Sequence, residues 1–186
     1  MKLTFLSPLF APLFGVRMKE RLLRSIIDGA KAPTMVFDVE CIGPDGKVKW
    51  RESAKNLVTN QGRVDILDKY LKGATYTASW FLMLKGTGSV ANADTLASNA
   101  GWDEVTPYSG NRPAITWGTT TGTTTATNTA TAVSITINAT ATVAGAGCCT
   151  VNTGTSGILY NVSDFAASRS VASGDTLNVT PTITMS

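Results

Sequence analysis

At 186 residues the chain is long enough for one sizeable core, burying roughly two thirds of the surface exposed when unfolded. Only 16% of its residues are charged and none is histidine, which removes the commonest general base and metal ligand together with every Ser-His or Cys-His dyad. The net charge of +3 is uneven: residues 1–85 hold 14 Lys/Arg against 8 Asp/Glu and the remainder 2 against 5, an interleaving of signs that disfavours a nucleic-acid partner.

The first residues, Met1 to Leu6, begin like a secretory signal. Pro8 and Pro12 interrupt the apolar stretch, and Arg17-Met18-Lys19-Glu20-Arg21 follows where a small-residue cleavage site belongs, so export is not expected. The stretch is also too short to span a bilayer, and no membrane partner is expected. Ser7-Pro8-Leu9-Phe10 is repeated as Ala11-Pro12-Leu13-Phe14. Proline fixes φ and pushes its predecessor toward extended geometry, which predicts an arm rather than a helix. The arm carries Leu3, Phe5, Leu6, Leu9, Phe10, Leu13 and Phe14, and these are the expected protein-interface residues, docking either on the chain's own core or on a neighbouring subunit. From Val16 to Ala30, Leu22, Leu23, Ile26 and Ile27 recur at helical spacing, so residues 1–30 read as an arm plus one amphipathic helix.

Residues 31–186 read as a separate β domain. Met35, Phe37, Val39 and Cys41 alternate with Val36, Asp38, Glu40 and Ile42; Gly43-Pro44-Asp45-Gly46 supplies a turn, and Val48 and Trp50 alternate with Lys47, Lys49 and Arg51. A symmetric turn predicts a hairpin with Glu40 opposite Lys49, Asp38 opposite Arg51, Val39 opposite Trp50 and Cys41 opposite Val48. Thr59 or Asn60 caps a predicted helix of about three turns, with Val64, Leu67, Tyr70 and Leu71 as its apolar stripe and Gly73 at its end. Thr77 to Lys85, with Trp80 to Leu84 consecutively apolar, reads as a strand buried on both faces, and Asp94 to Asn99 as one helical turn.

Residues 119–132 are almost wholly Thr, Ala, Gly and Asn. After them Val133, Ile135 and Ile137, then Ile158-Leu159-Tyr160, then Leu177, Val179, Pro181, Ile183 and Met185 read as short strands between Gly, Ser and Asn turns. The expected fold is mainly β, a β-sandwich or jelly roll with an N-terminal extended arm and one or two short helices.

Little in this pattern suggests catalysis. The acids of the later β region, Asp103, Glu104, Asp164 and Asp175, lack a pairing suited to a two-carboxylate glycosidase. Lys85-Gly86-Thr87-Gly88-Ser89 lacks the spacing of a phosphate loop. Cys41, Cys148 and Cys149 form an odd set whose adjacent pair does not suit a disulfide, and they read as small strand residues in a reduced setting. No cofactor and no enzymatic activity is expected.

Four groups of residues carry a resemblance: Asn56-Leu57-Val58-Thr59-Asn60-Gln61-Gly62; Thr95-Leu96-Ala97 with Gly101-Trp102-Asp103-Glu104; Asn111-Arg112-Pro113-Ala114; and Phe165 to Val171 with Ser173-Gly174-Asp175-Thr176-Leu177. From about residue 35 onward the chain resembles small virion structural proteins of tailed bacteriophages, nearest in role to capsid cement or decoration proteins. That resemblance implies a protein made in the host cytoplasm and carried on the capsid exterior, with the major capsid protein and other copies of itself as partners. A neck, collar or tail-fibre component is the alternative within the same class. In another class, Trp80, Trp102 and Trp117 could supply the stacking faces of a carbohydrate-binding module.

Overall fold

The computed structural model describes residues 33–76, 79–120, 124–128 and 132–185. The predicted arm, with its seven interface residues, and the predicted helix at 16–30 lie outside the described residues.

The described chain is mainly β and forms two facing sheets. The first contains β1 (Thr34–Ile42), β2 (Val48–Lys55) and β11 (Thr176–Thr184) in the order β2-β1-β11, with β7 (Thr125–Thr127) and β8 (Val133–Thr136) both on the far edge of β11. The second contains β3 (Leu57–Val58), β4 (Trp80–Gly88), β9 (Ala141–Cys149) and β10 (Leu159–Val171) in the order β3-β10-β9-β4, with β5 (Trp102–Glu104) and β6 (Ala114–Ile115) both pairing β4. Pro181, which has no N–H to offer, falls between the stretches of β11 that pair with β8 and β7.

The period-2 pattern of the strands explains the sandwich. Phe37, Val39, Leu177 and Val179 point inward from the first sheet and meet Leu82, Leu84, Ala146 and Tyr160 of the second. The consecutive apolar residues of β4 need two cores, and they have them. Leu82 and Leu84 face the main core, whereas Met83 packs on the opposite side with Leu159 and Val162 under Leu96 and Trp102. The segment 94–99 that supplies this cover consists of turns rather than the predicted helical turn: Asp94 folds back to accept from the Ala91 N–H (2.8 Å) and the Trp102 indole N–H (2.9 Å).

The hairpin forms with the inward row of β1 as expected and its register offset by two residues. Glu40 lies opposite Arg51, to which it is ion-paired, Asp38 opposite Ser53, and Cys41 opposite Trp50. Two local events replace the symmetric turn. Gly46, at φ 76°, closes a three-residue loop in which its N–H donates to Gly43 O (2.9 Å) and the Gly43 N–H donates to Lys47 O (2.8 Å). A bulge then lies between Ile42, opposite Val48, and Cys41, opposite Trp50, leaving Lys49 as the extra residue. An even offset returns each side chain to its original face, so the inward row Phe37, Val39, Cys41 survives. Val48, however, is exposed, and the inward position opposite Val39 belongs to Glu52, which is held by Arg169 of β10 at 2.6 Å.

The bulged Lys49 reaches Asp175 in the turn before β11, with Nζ 2.6 Å from Oδ2. Burial alone would raise the Asp175 carboxyl. The hydrogen bond from Lys49, the Ala172 N–H at 2.9 Å and the Lys49 charge outweigh it and hold the group below the ordinary carboxylate range. A depressed folded value contributes stability above the unfolded carboxylate value of about 3.9, and loses it as pH falls through the folded one. The melting temperature of the wild type should therefore fall more steeply than that of Asp175→Asn as pH drops below about 4. Parallel pH profiles for the two proteins would show that this carboxylate is not coupled to folding.

Candidate docking surface

The helix after β3 decides which apolar residues face outward. It comprises α1 (Asn60–Ile66) and a π-helical turn at Leu67–Leu71, and Gly73 follows with φ 69°. Thr59 caps it, accepting from the Gly62 N–H at 3.1 Å while its own hydroxyl donates to Leu159 O. The Thr59 N–H donates to Tyr160 O (3.1 Å), and Gln61 Oε1 accepts from the Leu159 N–H (3.1 Å). The first turn is thus stitched to β10. Gly62 allows this approach, because a Cβ there would sit 2.2 Å from Tyr160 O.

With Gly62 and Asp65 buried against the sheet, the apolar stripe cannot also face inward. Such a stripe ordinarily packs on the core of its own domain. Here Val64, Leu67, Tyr70 and Leu71 are 54%, 51%, 84% and 71% exposed. Lys72 pairs with Asp68 at 2.7 Å, and Lys69 donates to Thr75 O, so the end of the helix is also fixed. The stripe is a held surface with no partner in the described chain.

Beside it lies a groove of about 550 Å³. Tyr70 and Tyr76 stand at its mouth, Trp80, Trp117 and Tyr160 form its aromatic wall, and Met35, Ile183 and Met185 come from the two long strands of the first sheet. Trp80 and Tyr160 meet edge to face, their centroids 5.1 Å apart. Burial, and after it the charges of neighbouring acidic groups, push the Tyr160 hydroxyl up to about 12, so it remains neutral. Asp65 and Lys69 are the charged residues of the lining.

Two of the three tryptophans named from the sequence therefore share one groove. The third does not: Trp102 is buried in the smaller core with its N–H given to Asp94. Sequence reasoning missed Tyr76, Tyr160, Met35 and Ile183 as groove residues, since only the pairing of distant strands assembles them. The crowding of Tyr70, Tyr76 and Trp80 within eleven positions was the available signal.

The acids considered for catalysis are each engaged elsewhere or exposed. Glu104 takes two hydrogen bonds from Arg112 (2.8 and 2.7 Å), Asp164 pairs with Lys85 (2.8 Å), Asp175 pairs with Lys49, and Asp103 is exposed. The carbonyls of Gly86 and Gly88 accept from Lys85 at 3.0 and 2.6 Å, whereas a phosphate cradle would offer N–H groups. All three cysteines are free and buried. Burial first, and then Asp175, push the Cys41 thiol up to about 11; burial likewise pushes Cys149 up to about 11 and Cys148 well above its usual range. Such thiols stay protonated and are poor nucleophiles. Among the described residues no group of three or more Cys, Asp or Glu side chains could hold a metal ion, and no helix is long and apolar enough to cross a membrane.

No family model, curated protein or solved structure matches this chain.

Proposed function

We propose that this chain is a non-enzymatic virion structural protein, a capsid cement protein of a tailed bacteriophage, that binds the major capsid protein on the outside of the head. The observation that carries the protein-binding part is the outward stripe Val64, Leu67, Tyr70 and Leu71, an apolar surface fixed in place by Thr59, Gln61 and Gly62. Exposed contiguous apolar patches on rigid elements mark interaction sites, and a helix face with anchors at these spacings suits a groove on another protein. The phage assignment is supported by the resemblance of residues 35–186 to virion structural proteins. Engaged carboxylates, protonated thiols and the absence of histidine support a binding role over a catalytic one.

The test combines copy number with mutation. A stained gel of purified virions should show this chain in numbers comparable to the major capsid protein; a copy number fit only for one small ring would favour the neck, collar or fibre alternative. Replacing both Leu67 and Leu71 by serine should remove about 3 kcal/mol or more of binding, weakening capsid attachment roughly a hundredfold. The melting temperature should hardly change, because both side chains are already exposed. Undiminished attachment by this double variant would rule out the stripe.

One observation favours a second reading. Trp80 and Trp117 share a groove, as they would in a carbohydrate-binding module, and glycan-array binding lost on Trp117→Ala would support it. The scarcity of charged and amide side chains in the lining weighs against it, since sugars are held by polar hydrogen bonds as well as stacking.

A further inference from the structure

The groove is a different surface from most of the stripe, and the chain itself contains a segment with the chemistry to fill it. We propose that the groove receives Leu9, Phe10, Leu13 and Phe14 of a second copy, linking the protein to itself head to tail. This deepens the protein-binding reading above and rests on it.

Three observations carry the assignment. First, the lining is aromatic and aliphatic, with Trp80, Trp117, Tyr70 and Tyr160 available for edge-to-face contacts with phenylalanine, and about 550 Å³ accommodates several side chains at once. Second, Leu9-Phe10 and Leu13-Phe14 repeat at a four-residue interval within an apolar segment that carries seven large hydrophobic side chains in its first 14 residues. Third, the described chain starts at Pro33, two residues before Met35 of the lining. With 16–30 helical as the sequence predicts and the remaining residues extended, the 18 residues between Phe14 and Pro33 span roughly 30 Å, enough to carry the segment to a groove on a neighbouring molecule. A segment from one patch entering a groove at another makes a heterologous contact, which propagates into rings or open chains unless two copies exchange segments reciprocally and close as a dimer.

Sedimentation velocity of the full-length chain over a concentration series, without capsids, tests this. The wild type should associate as concentration rises, to a reciprocally exchanged dimer or to larger rings and chains. The segment variant Phe10→Ser/Phe14→Ser and the groove variant Met185→Asp should each associate at least tenfold more weakly. Met185 is half exposed at the end of β11, and unchanged circular dichroism would confirm that its replacement leaves the fold intact. An equimolar mixture of the two variants should form a dimer and stop there, because only one intact segment and one intact groove can meet. A wild type that stays monomeric throughout, a segment variant that associates like the wild type, or a mixture that stays monomeric would each overturn the proposal. Capsid attachment measured with the Leu67→Ser/Leu71→Ser protein reports separately on the functional reading, so either can fail without the other.

Discussion

Replacing Gly62 by alanine should strip α1 from the sheet and, under the proposed function, remove capsid attachment along with it. The added methyl would meet Tyr160 O at 2.2 Å and the Tyr160 carbonyl carbon at 3.0 Å. Tyr160 lies at an irregularity in the β10–β9 pairing, but Leu159 and Asn161 on either side are held opposite Cys149 and Cys148 and its carbonyl accepts from the Thr59 N–H, which limits how far it can give way. The helix must move instead. That would break the Gly62 N–H bond to Thr59 and the anchorage of Gln61 to Leu159. Overpacking and a lost cap together should destabilise the protein by on the order of 3 kcal/mol. Thermal melts and capsid co-sedimentation check the result; a variant with wild-type melting and attachment would show that the helix is not held by this close approach.

The second large effect is expected at Asp164. Lys85 is fully buried within β4, and its ammonium is satisfied by Asp164 at 2.8 Å and by the carbonyls of Gly86 and Gly88. Gly145, its partner across the strands, leaves room for the stem: a Cβ there would stand 3.1 Å from Lys85 Cδ. Asp164→Ala removes the balancing charge and leaves a cation in the interior, which should cost about 3 kcal/mol, the low end for such a loss because the Asp164 side chain is 46% exposed and water can partly replace it. Lys85→Met should cost less, since the remaining carboxylate can hydrate. Adding Lys85→Met to Asp164→Ala should then recover part of the lost stability. Denaturant titration of the three proteins decides, and a double variant less stable than Asp164→Ala alone would mean that the lysine stem matters more to the fold than its unbalanced charge.

Much of the architecture was legible because it follows from local chemistry. The alternation in residues 35–41 and 177–183 placed the inward rows of β1 and β11, and the Thr59 cap and Gly73 bracketed the helix. What escaped depends on contacts distant in sequence. The hairpin register turned on the positive φ of Gly46 and on the pull of Asp175 upon Lys49, 126 residues away. The long central strand β9 hid within Ala, Gly and Cys, whose small side chains suit its burial between β4 and β10 but carry little hydrophobic alternation. The direction of the helical stripe could not be read from its spacing either. A stripe says which residues share a face, while the glycine and the cap say which face meets the sheet. The groove depended on still more, since residues from β1, the helix, β4, β10 and β11 meet there.

The bulge at Lys49 has a further consequence for the border of the first sheet. β2 is the outer strand of the first sheet among the described residues, and its backbone would otherwise offer a template for another chain's strand. The bulge bends that border, where Lys49 and Arg51 are ion-paired to Asp175 and Glu40. A strand bent in this way does not align flat against a second one. Edge-to-edge fusion of copies into continuous fibrils is thereby disfavoured.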